Sequence, residues 1–277
     1  MIFLDKIIEY MLAEDEGFGD ITSNAVVEKD KIVNGSIVSK DDGILAGIDV
    51  IRELFEEYGI EITLCLREGV KISKNDLLIS FRGDARTILL LERTALNLLM
   101  RMSGVATAAG EYVDLLSDYD VRIAGTRKTS PGIAKFDKYA LTVGGADTHR
   151  FSLDDMVLIK DNHIAVCGTP LDALLKAKEN TSFSKKIEIE VETLDDAVEC
   201  VKNGADIVML DNMSGEEVKE VIGELEKLNI RQNSLIEVSG GITKDNIMDY
   251  VEYGVDIISI GALTHSSRSL NFSLRIE

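Results

Sequence analysis

The chain is poor in the residues that stabilise small disulfide-linked or zinc-bound proteins. Its 277 residues include three cysteines, three histidines, two prolines and no tryptophan. Cys65, Cys167 and Cys200 lie far apart without CxxC spacing, which argues against a disulfide framework and against a structural zinc site. We interpret them as core thiols in a reducing compartment and expect a soluble cytoplasmic protein.

Basic residues are also in deficit, with 30 Lys and Arg against 49 Asp and Glu and a net charge of −19. Such a surface repels phosphate groups, which argues against nucleic acid and anionic membranes as partners. No apolar run approaches the roughly 20 residues of a membrane span. Residues 2–12 alternate apolar and charged positions at helical spacing, which predicts an amphipathic helix rather than a signal peptide.

Several catalytic signatures are missing from the sequence. There is no GxSxG nucleophile elbow and no GxxxxGK[ST] phosphate loop, which argues against serine hydrolases and P-loop NTPases. His149, His163 and His265 lack the spacing of a metal-ligand set, and we expect His265 to be structural.

The spacing of apolar residues differs between two parts of the chain. Residues 30–85 contain short strand-like runs cut by glycines, around a helical segment "DVIRELFEEYG", which predicts an α+β domain. The following run, "TILLLERTALNLLMRMSGVATAAGEYVDLLS", predicts two helices with a break near Ser103-Gly104.

From residue 121 onward, apolar runs recur between helical segments, which predicts a parallel sheet covered by helices. The six runs are "VRIAGT", "MVLIKD", "KIEIEVE", "DIVMLDN", "LIEVSGG" and "DIISIGA". Capping-box spacing marks helix starts at Thr169, Thr193 and Ser214, and Pro131 and Pro170 suit first helical positions. Six strands are fewer than the eight of a complete (β/α)₈ barrel, so we expect an α/β fold with an incomplete barrel.

Basic, acidic or small residues follow all six predicted strands, where α/β barrels carry their functional groups. They are Thr126-Arg127-Lys128, Lys160-Asp161-Asn162, Glu190 with Glu192, Asp211-Asn212, Ser239-Gly240-Gly241 and Gly261-Ala262. Together they predict a site for a polyanion, a cation and a polyol. Ser239-Gly240-Gly241, followed by Thr243 at an expected helix start, is a candidate phosphate cradle.

The charge distribution supports an anion site. Residues 122–163 carry seven Arg or Lys and five Asp, a net charge of +2 in a chain of net charge −19, and such a patch attracts small anions. Structural alternatives remain open: Arg127 and Lys128 could form surface ion pairs, and Lys160 could pair with Glu190 or Asp211 to relieve a buried charge.

An ordered set of motifs resembles the quinolinate phosphoribosyltransferase family, also called nicotinate-nucleotide pyrophosphorylase (carboxylating). The motifs are "ERTALNLLMRMSGVAT", "GTRKTSPG", "KYALTVGGADTHR", "LDDMVLIKDNH", "IEIEVETLDDA", "MLDN", "EVSGGI" and "SIGALTHS". The resemblance implies an N-terminal α+β sandwich domain over residues 1–105, joined by the C-terminal tail 265–277. It places the incomplete α/β barrel, the catalytic domain, over residues 106–264.

The resemblance also implies a reaction and its residues. Quinolinate and 5-phosphoribosyl 1-pyrophosphate, with Mg²⁺, would give nicotinate mononucleotide, pyrophosphate and CO₂ in NAD biosynthesis. Lys128, Lys160, Glu190 and Asp211 would be catalytic, with Glu190 and Asp211 facing the ribose hydroxyls and the metal. The quinolinate pocket would contain Arg127, His149, Arg150 and Lys160, while Lys128 would serve both substrates. Phosphate would bind at Ser239, Gly240, Gly241 and Gly261.

The family's assembly implies a homo-oligomer, at least a dimer and as large as a hexamer, in which Arg93 enters the neighbouring subunit's active site. Other activities stay open: a homologue of the molybdate-operon type, a Schiff-base barrel aldolase using Lys160, and a non-catalytic sensor of sugar phosphates. The intact "LIKDNH" favours quinolinate over the molybdate-operon homologue.

Overall fold

The computed structural model of the protein describes residues 6–277. The chain forms two compact units. The first contains the chain as far as Glu111, together with Thr129–Gly145 and Leu263–Glu277. The second contains Tyr112–Lys128 and Ala146–Ala262.

Helices and strands follow one another along the whole described chain. As far as Leu115 they are α1 (Lys6–Glu16), α2 (Ile21–Val26), β1 (Ile32–Ser39), β2 (Gly43–Ile44), α3 (Ile48–Glu57), β3 (Glu61–Cys65), β4 (Lys71–Ile72), β5 (Leu77–Asp84) and α4 (Ala85–Leu115). Next come β6 (Arg122–Ala124), α5 (Ala134–Val143), β7 (Val157–Ile159), α6 (Asp161–Cys167), α7 (Pro170–Asn180), β8 (Ile187–Val191), α8 (Leu194–Lys202), β9 (Ile207–Asp211) and α9 (Gly215–Lys227). A 3-10 turn (Arg231–Asn233), β10 (Leu235–Ser239), α10 (Met248–Val251), β11 (Ile257–Ser259), α11 (Ala262–His265) and β12 (Phe272–Ile276) complete the series.

The first unit is built on a four-stranded antiparallel sheet of order β12-β1-β5-β3. The C-terminal strand β12 pairs with β1, so the end of the chain forms an edge of this sheet. Helix α3 occupies the position predicted for "DVIRELFEEYG". It buries an apolar face, and its Phe55 ring meets Phe81 of β5 edge-on, with centroids 5.0 Å apart. This geometry is favourable for two aromatic rings.

The N-terminal helix α1 covers the second part of the predicted amphipathic segment. Its buried residues are Ile8 and Leu12, four positions apart on one face. Ile2 and Leu4, which belong to the same prediction, lie outside the described residues. No helix within residues 6–277 has the length and apolar content that a membrane span requires.

The predicted helix break near Ser103-Gly104 was wrong, because α4 continues from Ala85 to Leu115. The Ser103 hydroxyl bonds the backbone N–H and C=O of Ala46, at 3.0 and 3.1 Å. A β-carbon at Gly104 would lie 2.9 Å from Ser269 Cα. These two residues therefore allow close packing of other segments of the same unit, and they do not end the helix.

The second unit contains a six-stranded parallel sheet of order β6-β11-β10-β9-β8-β7. These are the six strands predicted from the apolar runs. Strand β8 is buried along its whole length, and the first four residues of β9 are buried as well, as expected for a parallel sheet covered by helices. The predicted α/β fold class, an N-terminal sheet domain with an incomplete parallel barrel, is thus confirmed.

Helix starts follow the predicted caps closely. Thr169, Thr193 and Ser214 each accept the backbone N–H three residues later and begin α7, α8 and α9. Pro170 is the first residue of α7. The prediction for Pro131 was wrong, because it lies in a turn and α5 begins only at Ala134.

Candidate active site

The carboxyl ends of the parallel strands surround a cavity of about 490 Å³ in the second unit. Eight of the predicted site residues line it: Arg127, Lys128, His149, Arg150, Lys160, Glu190, Asp211 and Ser239. They come from separate segments of the chain and supply both cationic and anionic groups. The convergence expected from the strand ends is therefore present.

Arg127 and Lys128 follow β6, and both side chains are exposed to solvent. The hydroxyl of Thr126 accepts the backbone N–H of Lys128 at 3.1 Å, which turns the chain directly after the strand. These two cations therefore enter the cavity wall from a turn rather than from a continuing strand.

Lys160 and Glu190 form an ion pair within the cavity wall. Lys160 follows β7, Glu190 lies on the neighbouring strand β8, and the Lys160 side chain is 42% exposed. The backbone N–H of Lys160 donates to Nδ1 of His163 at 3.0 Å, at the start of α6. The pair considered as a structural alternative thus exists, and it lies inside the candidate site.

Asp211 ends β9 beside this pair, and its carboxylate is only partly exposed. Burial raises its pKa, and the charge of Glu190 raises it further, while Lys160 and Lys128 oppose the shift. Asn212 adopts a left-handed backbone with φ of +55°. Its side-chain amide donates to Asp211, and its backbone N–H donates to the Ser239 carbonyl at 2.9 Å.

The segment Ser239-Gly240-Gly241 follows β10, and only Ser239 lines the cavity among these three. Gly240 has φ of +97°, and a β-carbon there would lie 2.8 Å from the Asn212 backbone nitrogen. Glycine is required because this conformation and this close approach both exclude a side chain. The prediction of a helix start at Thr243 was wrong: a turn follows, closed by Asn246, and α10 is a four-residue helix beginning at Met248.

His149 and Arg150 enter the cavity from the segment after Asp147, which bridges to the edge strand β6. The His149 side chain is 10% exposed, and Arg150 is buried. Burial lowers the pKa of Arg150, and the neighbouring charge of Arg127 lowers it further, while Glu188 opposes both. Two arginines held close together in this way favour binding of an anion with more than one negative charge.

The remaining predicted residues are not part of the cavity lining. Arg93 lies on α4 with its side chain exposed. Gly261 precedes the short helix α11, and neither it nor Gly240 and Gly241 lines the cavity. Any role for these residues stays a prediction that rests on the resemblance.

Two buried carboxylates below the cavity, Glu188 and Glu237, were not among the residues predicted from the sequence. Each lies two residues before a predicted site residue on the same strand, Glu190 on β8 and Ser239 on β10. Because side chains alternate between the two faces of a strand, the spacing could have identified them. Ser259 of β11, which lines the cavity and donates to Glu237, was missed as well.

Glu190 and Asp211 have the donor chemistry that a magnesium ion prefers, since Mg²⁺ binds carboxylate oxygens and retains water. The mutual repulsion that raises the Asp211 pKa would be relieved by a divalent cation. The side chains thus fit a metal brought in with a phosphorylated substrate.

Comparison with known proteins gives one consistent result. The family described as "Quinolinate phosphoribosyl transferase, N-terminal domain" matches residues 20–103. Its C-terminal counterpart matches residues 105–275. The chain is 48% identical over 275 residues to the probable nicotinate-nucleotide pyrophosphorylase [carboxylating] of Methanocaldococcus jannaschii, covering 98% of this chain and 96% of that protein.

More distant relatives agree. The human nicotinate-nucleotide pyrophosphorylase [carboxylating] is 37% identical over 240 residues, covering 86% of this chain and 80% of that protein. The crystal structure of NadC from Streptococcus pyogenes superposes with a TM-score of 0.91 at 35% identity, covering 99% of this chain and 97% of that one. The chain belongs to the quinolinate phosphoribosyltransferase family.

Proposed function

We propose that the protein transfers the phosphoribosyl group of 5-phosphoribosyl 1-pyrophosphate to quinolinate and releases CO₂, giving nicotinate mononucleotide and pyrophosphate for NAD biosynthesis. The observation that carries the proposal is the convergence of Arg127, Arg150 and Lys160 on one cavity that also contains Glu190 and Asp211. This donor set matches a pyridine dicarboxylate and a phosphorylated sugar together.

Quinolinate binding uses the cationic side of the cavity. Its two adjacent carboxylates take charge-assisted hydrogen bonds from Arg127, Arg150 and Lys160, and guanidinium groups can bind a carboxylate through two parallel N–H bonds. Arg150 is buried, so its bond to a carboxylate is shielded from water. This arrangement holds the pyridine nitrogen in a fixed direction.

Binding of the phosphoribosyl donor uses the carboxylates of the cavity together with a set of phosphate-binding groups. Glu190 and Asp211 accept hydrogen bonds from the ribose hydroxyls, Lys128 neutralises phosphate charge, and the Ser239 hydroxyl donates a hydrogen bond. The backbone N–H groups of Gly240, Gly241 and Gly261 complete the phosphate site. The positive φ angles of Gly240 and Gly241 turn successive peptide groups in directions that suit an anion.

Magnesium bound by the pyrophosphate, with Glu190 and Asp211 as carboxylate partners, would supply charge neutralisation for the leaving group. Lys128 adds a second positive charge on the same side. Glu190 and Asp211 then stabilise the positive charge that develops on C1 of the ribose as pyrophosphate departs. The cations of the quinolinate site hold the ring nitrogen in line with C1, which lowers the entropic cost of attack.

Decarboxylation follows from the product of this attack. The new bond between the ring nitrogen and C1 makes the ring a pyridinium cation, which withdraws electrons from the adjacent carbon. The carboxylate on that carbon leaves as CO₂, its bonding electrons remain on the ring carbon, and that carbon then takes a proton from water. No organic cofactor is needed, because the positive charge on the ring nitrogen stabilises the electron pair left on that carbon.

The remaining alternative that uses Lys160 is a Schiff-base aldolase, which needs an uncharged amine as nucleophile. Lys160 instead contacts the Glu190 carboxylate in a cavity lined by charged side chains, so the geometry favours the phosphoribosyl transfer. The three cysteines are free, and together with the pathway they support a cytoplasmic location.

We also propose a homo-oligomer, at least a dimer, in which Arg93 contributes to the site of a neighbouring subunit. The exposed position of Arg93 on α4 supports this. Mixing inactive Arg93→Ala and Lys160→Ala proteins tests it, because hybrid assemblies would contain one site with both side chains intact. Partial recovery of activity on mixing supports the shared site, and no recovery from demonstrated hybrids contradicts it.

The activity itself is tested by incubating the protein with quinolinate, 5-phosphoribosyl 1-pyrophosphate and Mg²⁺, with mass-spectrometric detection of nicotinate mononucleotide and pyrophosphate. Omission of either substrate, or addition of a chelator, should abolish product, and excess Mg²⁺ should restore it. Nicotinic acid in place of quinolinate is the matched control, since it lacks the carboxylate that leaves. Product from nicotinic acid with none from quinolinate would contradict the proposal.

A further inference from the structure

Two buried carboxylates lie directly below the cavity and face His149, which is part of the cavity wall. Glu188 of β8 and Glu237 of β10 are both fully buried. Their Oε2 atoms lie 3.3 Å from Nε2 of His149 in each case. Strand β9 separates the two glutamate strands, so the imidazole connects non-adjacent strands across the sheet.

The two carboxylates differ in their other partners. Glu237 accepts a hydrogen bond from the Ser259 hydroxyl at Oε1, and its Oε2 is in hydrogen-bonding geometry with Nε2 of His149. Within the described residues, neither Glu188 oxygen has a hydrogen-bond donor. Two buried negative charges this close would be costly unless a proton faces them. The ring nitrogen Nε2 of His149 is the group in position to carry that proton.

The other ring nitrogen of His149 is also occupied. Its Nδ1 accepts the backbone N–H of Arg150 at 2.9 Å. The backbone of His149 is left-handed, with φ of +53°, and its own N–H donates to Asp147 at 2.7 Å. A non-glycine residue in this conformation is uncommon and has to be stabilised by its surroundings. Here the stabilisation comes from the bonds of the ring and of Asp147.

These contacts connect both ring nitrogens of His149 to protein groups. Nδ1 lies beside the Arg150 backbone N–H, and Nε2 faces the two carboxylates. Arg150, the next residue, carries the guanidinium that lines the cavity. Its position therefore depends on the conformation that His149 holds. The charge of Glu188 also opposes the lowering of the Arg150 pKa by burial and by Arg127.

We infer that His149, Glu188 and Glu237 form a positioning unit that fixes Arg150 for one carboxylate of the substrate. The inference rests on the proposed use of quinolinate. In this positioning unit, Nε2 of His149 carries a proton, and both glutamate carboxylates contact that nitrogen. Both glutamates act through His149 and Arg150, so they are positioning residues.

The first test needs no substrate. The chain has three histidines, so two-bond ¹H–¹⁵N correlation of histidine-labelled protein resolves each ring, and His149→Asn identifies the signals of residue 149. The inference predicts a protonated Nε2 at neutral pH. An unprotonated Nε2 would overturn it, because no proton would then face the two buried carboxylates. This result stands whether or not the proposed activity is found.

The second test separates the two substrates kinetically. Glu237→Gln and Glu188→Gln should raise KM for quinolinate on the order of 10- to 100-fold, as a misplaced binding group does, and leave KM for 5-phosphoribosyl 1-pyrophosphate within about twofold. Glu220→Gln, the same change on the exposed face of α9, is the matched control and should behave as the wild type. Equal effects on both KM values, or loss of stability without a change in either, would overturn the inference.

The ligand atoms of the three residues lie within 4.8 Å of one another, a spacing that a metal ion could also use. Elemental analysis of the protein purified without chelator decides this point. If the wild type contains no stoichiometric metal, or only one that His149→Asn retains, the result agrees with the positioning role. A metal bound by His149 would overturn it. If the wild type converts no quinolinate at all, the proposed function fails, while the histidine spectra still decide the geometry.

Discussion

The ammonium group of Lys160 pairs with the carboxylate of Glu190 across neighbouring strands of the parallel sheet. Lys160 is partly exposed, with 42% of its side chain accessible, whereas Glu190 is 11% exposed. The pair therefore lies at the boundary between the sheet interior and the cavity, where a substrate can replace water.

Lys160→Ala should lower kcat/KM by about 100- to 1,000-fold, the usual effect of removing one preorganised charge from a transition-state site. Its melting temperature should also fall, because the Glu190 carboxylate, 11% exposed, loses its partner. Steady-state kinetics and calorimetry measure the two effects. Lys227→Ala, which breaks an exposed pair with Glu224 on α9, is the control. Near-normal kcat/KM in Lys160→Ala would remove Lys160 from the mechanism.

Asp211→Asn should stabilise the metal-free protein at neutral pH while abolishing most activity. Burial and Glu190 raise the pKa of Asp211 above its ordinary 3.8, so folding disfavours the ionised carboxylate. The cost is absent below the unfolded pKa, grows as pH rises through the window up to the folded pKa, and is complete above it.

Chemical unfolding in chelator-containing buffer from pH 3.5 to 8 measures this difference. The variant should be the more stable protein at pH 7, and the gap should close toward the acid end of the range. A variant less stable than the wild type at pH 7 would mean that Asp211 contributes to folding as an anion.

Asn212→Gly tests whether Asn212 holds Asp211 in place. Glycine retains the left-handed backbone that Asn212 adopts, but it removes the amide that donates to Asp211. Because a hydrogen bond to a charged group is lost, KM for 5-phosphoribosyl 1-pyrophosphate should rise roughly 10-fold.

Asn229→Gly is a closely matched control, since Asn229 has the same φ of +55° in an exposed turn after α9. Both variants should fold with similar stability. If the two show equal kinetics, the contact between Asn212 and Asp211 has no role in substrate binding.

Arg101→Met should destabilise the first unit severely. Arg101 bonds both carboxylate oxygens of Asp137 at 2.9 and 3.0 Å and also donates to the Thr264 carbonyl. Asp137 is fully buried, so its charge would remain uncompensated, at a cost of about 3 to 5 kcal/mol.

Urea unfolding measures the change in the free energy of unfolding. The double variant Arg101→Met, Asp137→Leu should regain a large part of the loss, because it no longer leaves an unpaired charge in the interior. If Arg101→Met alone is as stable as the wild type, the ion pair between Arg101 and Asp137 contributes little to the free energy of unfolding.

The sequence was sufficient for the parallel sheet because each strand is a short apolar run that ends in polar residues or glycine. Strand β9, "IVMLD", shows this pattern in five residues. The helix starts at Thr169, Thr193 and Ser214 were equally clear, since capping depends on local spacing. By contrast, Ser103 and Gly104 suggested a break, because both residues are poor helix formers. They are present because they contact Ala46 and Ser269, which are distant in the chain.

The candidate site was also predictable only in part. Strand ends predicted Arg127, Lys160, Glu190 and Asp211, because parallel strands present their carboxyl ends at one edge. Glu188 and Glu237 were missed although their spacing places them on the same strand faces as Glu190 and Ser239. Their partner His149 is far away in sequence, so the contact that explains their burial could not be predicted. The role of Arg93 could come only from the resemblance, because its expected partner is another subunit.

Position-specific labelling of quinolinate tests the central claim most directly. With 5-phosphoribosyl 1-pyrophosphate and Mg²⁺ present, label in the carboxylate next to the ring nitrogen should appear as CO₂ in a one-to-one ratio with pyrophosphate. Label in the other carboxylate should stay in the mononucleotide. Pyrophosphate release without labelled CO₂, or CO₂ released in the absence of the phosphoribosyl donor, would contradict the account.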